Sequence, residues 1–199
     1  MDYRLVAELC YRKYSGGNPS ADSGLKPADF EYSVLQARAY KIRDDFIVRY
    51  KLTGEKVIGQ SWIRQYQVPV VFNETTNQYY SVLPSQVLDL PYNLGMWLVS
   101  PVQNIQEPFM QQSIGEAFIF MRNPPDNINY HFDMVNIYYD NFNAEIENVF
   151  LAMVPLIDEQ IPDEFALEIR DLVMKLYMPE QQEDKLTNQN PNLKEVANA

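Results

Sequence analysis

Between Gln65 and Val154 the chain is a succession of short runs rich in Val, Ile, Phe and Tyr, mostly separated by turn-prone segments marked with proline. The residues on either side instead carry apolar side chains at spacings of three and four. A period near two suits a strand and a period of 3.6 suits a helix, so the two ends are read as helices and the middle as a mostly antiparallel β-sheet. This is an α+β arrangement, with terminal helices packed against a central sheet and a polar C-terminal tail. At 199 residues there is room for one well-buried core, while two full domains would be cramped. The expectation is a single α+β domain over residues 1–179 and an extended polar tail over 180–199, ordered on binding a partner.

Residues 2–14 form a short helix with Leu5, Val6, Leu9 and Cys10 on one face and Arg4, Glu8 and Arg12 four apart on the other. Gly16 and Gly17 stop it, and residues 15–24 make a loop. Pro27, followed by Asp29 and Glu31 at the positive end of the helix dipole, begins a long helix that runs to Leu52 and ends at Thr53 and Gly54. Its buried stripe is expected at Leu35, Ala39, Ile42 and Phe46, beside a charged strip of Arg38, Lys41, Asp45 and Arg49. Residues 65–72 and 78–83 read as a hairpin around the turn-prone Asn73 to Asn77, with Pro69 placing the first strand at a sheet edge. Further strands are expected at 96–99, 116–121, 130–139 and 146–154. A helix over 143–153 is the competing reading, because a continuous apolar run has no clear period. Pro162, Asp163 and Glu164 open the last helix and Pro179 closes it. Phe165, Ile169, Leu172, Val173 and Leu176 are its apolar stripe, with Asp171 and Lys175 paired outside.

The net charge of −11 opposes a broad nucleic-acid-binding face, which needs clustered Lys and Arg, although an acidic wall that DNA slides past is compatible with it. Cys10 is the one cysteine, so no intrachain disulfide and no thiolate zinc site can form, and a reducing cytoplasm is the expected place of synthesis. The first fourteen residues carry charges throughout, and no apolar run approaches the ~20 residues of a membrane-spanning helix. Neither export by a signal peptide nor a membrane location is expected.

Candidates for chemistry are few. His131 and Asp133 share one face of a strand-like segment, but a His-x-Asp pair without a second His or Cys reads better as a surface or interface histidine than as a metal site. Acid clusters occur at Asp44 and Asp45, at Glu145 and Glu147, and from Asp158 to Glu164. Solvated faces and helix starts explain them better than a general acid and base do. No phosphate-cradling loop and no Gly-x-Ser-x-Gly elbow is present, and neither an enzymatic activity nor a cofactor is expected. Neutral amides are abundant between Gln60 and Gln67, Gln103 and Gln112, and Gln181 and Asn192, and they suit wide hydrogen-bonded contacts. Tyr79, Tyr80, Tyr92, Trp97, Tyr138 and Tyr139 are read mostly as core and strand residues. Some are free to anchor an interface or stack on a sugar.

Several stretches carry a resemblance: Tyr79-Tyr80-Ser81-Val82-Leu83-Pro84 through Leu90-Pro91 to Gly95 and Val99, the late strand into Val154-Pro155, and Ile161-Pro162-Asp163-Glu164-Phe165 with the polar tail. In that order they resemble the head-to-tail connector proteins of tailed bacteriophages, the adaptor or neck-ring subunits beneath the portal, and most closely those of crAss-like phages of Bacteroidetes. The likeness runs from about Leu35 to Asn192 and consists of Pro, Gly and apolar spacing rather than signature chemistry. It implies a virion protein assembled as a ring, typically twelvefold, that contacts the portal and the adjacent tail or ring proteins. Genomic DNA would pass through the centre without specific binding. It further implies that the tail docks on a partner, with Leu186, Asn188, Asn190, Leu193 and Val196 as the partner-binding residues. The larger strand content departs from the long-helix adaptor pattern and leaves the position in the neck open. The alternative is a tail-associated module that binds a receptor or carbohydrate.

Overall fold

The computed structural model describes residues 1–16, 24–112, 127–142 and 144–178. Among them it has an α+β fold that divides into two compact units, residues 42–157 and the described residues on either side of that stretch.

The unit made by the two ends of the described chain is helical. Helix α1 spans Tyr3–Tyr14 and is capped by Asp2, whose carboxylate accepts from the Arg4 amide at 2.8 Å. Helix α2, Pro27–Thr53, belongs to this unit as far as Lys41, and helix α3, Asp163–Tyr177, follows Pro162. The backbone around Asp2 pairs with that around Gln160 in an antiparallel bridge, so the start of α1 and the entry to α3 are fixed side by side. Phe30 is fully buried, with the rings of Tyr14 and Tyr177 5.9 and 4.6 Å away.

Several expectations fail here. The inward arc of α1 is Val6, Ala7 and Cys10, leaving Leu5 exposed, and α3 buries Ala166 and Met174 while exposing Leu176. In both helices the buried arc is rotated slightly from the one that apolar spacing alone suggests. Asp171 pairs with Lys13 at 3.0 Å and with Arg170 at 2.8 Å rather than with Lys175. Arg38, assigned above to a charged strip, is completely buried and meets Asp158 at 3.3 Å. The acidic run from Asp158 therefore begins with a structural ion pair, not a solvated face. Of the α2 stripe, Ala39, Ile42 and Phe46 are buried as expected, joined by Val34 and Ala37.

The second unit is β-rich. Strands β1 (Arg64–Pro69), β8 (Asn148–Met153) and β4 (Met96–Pro101) form a three-stranded antiparallel sheet in the order β1-β8-β4. Strands β2 (Val71–Asn73), β3 (Gln78–Val82), β7 (Asn136–Asp140), β6 (Asn129–Phe132) and β5 (Met110–Gln111) form a five-stranded sheet in that order, antiparallel except for β5 beside β6. Val68, Met96, Val99, Leu151 and Met153 from one sheet and Tyr130, Ile137 and Tyr139 from the other share one core.

Strand β8 lies between two neighbours, and Val149, Leu151, Ala152 and Met153 are all buried. A strand covered on both faces shows no alternation, so the continuous run is a strand, not the competing helix. The expected hairpin at 65–83 divides. β2 and β3 form it, around an Asn73 side chain that accepts from the Thr75 amide at 2.9 Å, but β1 pairs with β8 instead. The chain changes sheets at Val70, and Pro69 sits on an edge strand as expected. The single strand expected over 130–139 is two, because the Asp133 carboxylate accepts from the amides of Val135 and Asn136, both at 2.7 Å, and turns the chain back on itself. The strand expected over 116–121, the closing Pro179 and the tail over 180–199 lie outside the described residues.

Candidate functional site

Among the described residues, Cys10, Asp133 and Asp158 are each engaged by the fold. Cys10 lies inside the helical unit, its thiol directed at the Arg170 carbonyl at 4.0 Å, and burial pushes its pKa up to about 11. A thiol so placed stays protonated at neutral pH and is a poor nucleophile. The native protein at pH 7.5 should therefore resist a disulfide-exchange thiol reagent and release one thiol equivalent only on denaturation. Rapid labelling of the folded chain would contradict this placement.

Asp133 spends one carboxylate oxygen on the β6–β7 turn and accepts from the Tyr138 hydroxyl with the other at 3.2 Å. The backbone donors Asn136 and Val135 hold its carboxyl below the usual range. His131 does not share a ligand position with it. Its ring lies nearly parallel to Tyr138, 5.2 Å between centroids, and Nδ1 is 3.6 Å from Asp140. Among the described residues no three His, Cys, Asp or Glu side chains gather as a metal cluster, and no helix is long and apolar enough to cross a membrane. Asp158 is shielded as a general acid would be, but its oxygens accept from Arg38 and, at 3.0 Å, from the Gln160 amide. Glu145 and Glu147 are exposed.

The β-rich unit carries an open cleft of about 600 Å³ whose charged groups are Arg43, Asp89 and Asp133. Arg43 donates from Nε and Nη2 to the Asp89 carbonyl at 3.2 Å, and Asp133 is held in its turn. The cleft presents backbone and apolar walls, Phe132 and Met134 among them, and the exposed Asp89, whose backbone carbonyl is the part that Arg43 engages.

The tyrosines separate by register. Tyr139 is buried and donates to Ser81 Oγ at 3.1 Å, and Tyr79 packs between Phe72 and Phe142 at 4.8 and 5.0 Å. Val71, Tyr80, Tyr138 and His131 form a direct cross-strand row on the opposite face of the five-stranded sheet. Tyr92 is 56% exposed with φ of 61°, but Lys56 Nζ sits 3.9 Å above its ring and Tyr50 lies 6.0 Å away, so one ring face is already covered. Trp97 is exposed on β4. The five partner-binding candidates of the tail lie outside the described residues.

Sequence reasoning missed the outer face of α2. Besides the buried Ile42 and Phe46, this helix exposes Ile47, Val48 and Leu52. The signal was present, because a helix with apolar residues on both sides asks for a cover on both. No protein-family model and no curated protein matches this chain.

Proposed function

We propose that this chain is a structural virion protein, a subunit of the head-to-tail connector ring between portal and tail of a tailed bacteriophage, made in the cytoplasm of the bacterial host. The observation that carries the reading is convergence. The likeness to connector proteins rests on stretches from both ends of the β-region, and these meet at one junction. The Leu88 amide donates to the Val154 carbonyl at 2.8 Å, the Val154 amide donates to the Gly95 carbonyl at 2.7 Å, and Val87 bridges Pro155. A pattern of Pro, Gly and apolar spacing that encodes one packed junction is a pattern of fold, as the likeness requires.

Other features accord with this role. The net charge of −11 suits the wall of a channel through which DNA slides without sticking. Exposed apolar and aromatic side chains such as Ile47, Val48, Tyr92 and Trp97 suit a subunit that is covered by neighbours. Portal attachment is assigned to the tail through Leu186, Asn188, Asn190, Leu193 and Val196. The copy number is taken as twelve, and neither catalysis nor a cofactor enters the role.

Electron microscopy of the full chain mixed with its portal protein should show a symmetric collar, twelvefold by class averaging. Deleting residues 180–199 should leave circular dichroism and the unfolding midpoint unchanged while abolishing attachment. Absence of any symmetric particle with the portal would defeat the proposal, and undiminished attachment of the truncated chain would defeat the role of the tail.

A further inference from the structure

The outer face of α2 within the β-rich unit is its own complement. Asp44, Ile47, Val48 and Lys51 lie on one side of the helix, opposite Ile42 and Phe46. Ile47 and Val48 are 42% and 45% exposed, and Leu52 flanks them at 79%. The neighbouring charges are engaged: Arg43 with the Asp89 carbonyl, and Arg49 with Asp45 at 3.0 Å. Asp44 and Lys51 make no hydrogen bond or ion pair among the described residues. They stand two turns apart, about 10 Å along the axis, too far to reach each other.

Half a turn about an axis level with the midpoint of Ile47 and Val48 exchanges the heights of positions 44 and 51, and of positions 47 and 48, along the helix. A second copy laid antiparallel on the first therefore brings Asp44 of each, near the centre of the seam, against Lys51 of the other, and packs Ile47 on Ile47 along one side of the seam and Val48 on Val48 along the other. Parallel pairing would set Asp44 against Asp44 and Lys51 against Lys51. A nucleic acid would be repelled by Asp44 and by the chain's net charge, and a membrane surface would find a single cation beside the apolar pair. We propose that the free protein self-associates through this face as a two-fold, antiparallel pair of α2 helices. The contact is isologous and closes at two copies, so it differs from the head-to-tail contact of a ring and does not depend on the connector reading. One helix face falls short of the ~800 Å² per partner of a standard interface, so the pair is expected to be weak and is sought over a wide concentration range.

Sedimentation velocity on the full chain, from about 1 to about 500 µM in low salt, should show a monomer–dimer equilibrium that weakens as salt is added. Asp44→Lys and Lys51→Asp each place like charges at both flanks and should raise the dissociation constant at least ~10-fold. The double variant D44K/K51D restores opposite charges and should return to within ~3-fold of the parent. Both positions are exposed, and circular dichroism of each variant checks the fold. A monomer at every concentration, single swaps without effect, a double variant as weak as the singles, or larger assemblies indifferent to the swaps would each overturn the pairing. Portal attachment by Asp44→Lys reads the connector proposal separately.

Discussion

Replacing Arg38 with alanine should cost the fold about 3–5 kcal/mol, because it removes a fully buried guanidinium that meets the buried Asp158 carboxylate. Arg38 is 0% and Asp158 8% exposed, and the guanidinium Nη2 lies 3.3 Å from Asp158 Oδ2. The other carboxylate oxygen accepts from the Gln160 amide, which the mutation leaves in place but which cannot supply a charge. The pair ties the middle of α2 to the segment leading into α3, 120 residues away in sequence, so its loss also loosens the helical unit. Arg38→Met with Asp158→Leu in the same chain should be far less damaging than the sum of the two single changes. The pair need not outperform a well-packed apolar substitute, and only the removal of one partner alone is severely unfavourable. Urea unfolding of the four proteins measures this. A loss below ~1 kcal/mol for Arg38→Ala would mean that water reaches Asp158 and that the buried pair is not a structural tie.

That pair also marks where sequence reading stops. Arg38 stands next to Ala39 and one turn from Lys41 and Ile42, and nothing local separates an arginine on a charged strip from one turned inward; the partner that decides is distant in the chain. The same holds for strand pairing. Residues 64–73 have a continuous strand composition, yet β1 and β2 enter different sheets, because β8 arrives from the far end of the β-region to claim β1. Elements defined by local chemistry were legible: Pro27 and Asp29 at the start of α2, the Asn73 turn, Pro69 at an edge, and Pro162 before α3. The Asp133 turn was missed, although an Asp two and three residues ahead of the amides it accepts from is an ordinary turn former. It was hidden by the β-rich residues on both sides. For the candidate surfaces, composition named the tyrosines, but only the register of β2, β3, β7 and β6 separates buried Tyr139 from the outward row containing Tyr80 and Tyr138.

Gly95→Ala should destabilise the β-rich unit by about 3 kcal/mol, the upper end of the usual cost of overpacking. A Cβ at Gly95 would stand 2.1 Å from the Leu88 carbonyl oxygen and 2.7 Å from Val87 Cγ1. The oxygen cannot withdraw cheaply. The Leu88 amide is bonded to the Val154 carbonyl and the Val154 amide to the Gly95 carbonyl, so the two strands of backbone are clamped at the distance that glycine allows. Gly54 separates this effect from glycine's conformational freedom. It ends α2 with φ of +74° and open space around its Cβ position, so Gly54→Ala meets backbone strain alone and should cost about 1 kcal/mol. Thermal and urea unfolding of both variants should therefore rank Gly95→Ala well below Gly54→Ala in stability. Equal losses would show that the Leu88 segment yields to the extra methyl. In that case the junction of Val87, Leu88, Gly95, Val154 and Pro155 would be a pliable connection rather than the fixed point of the β-rich unit.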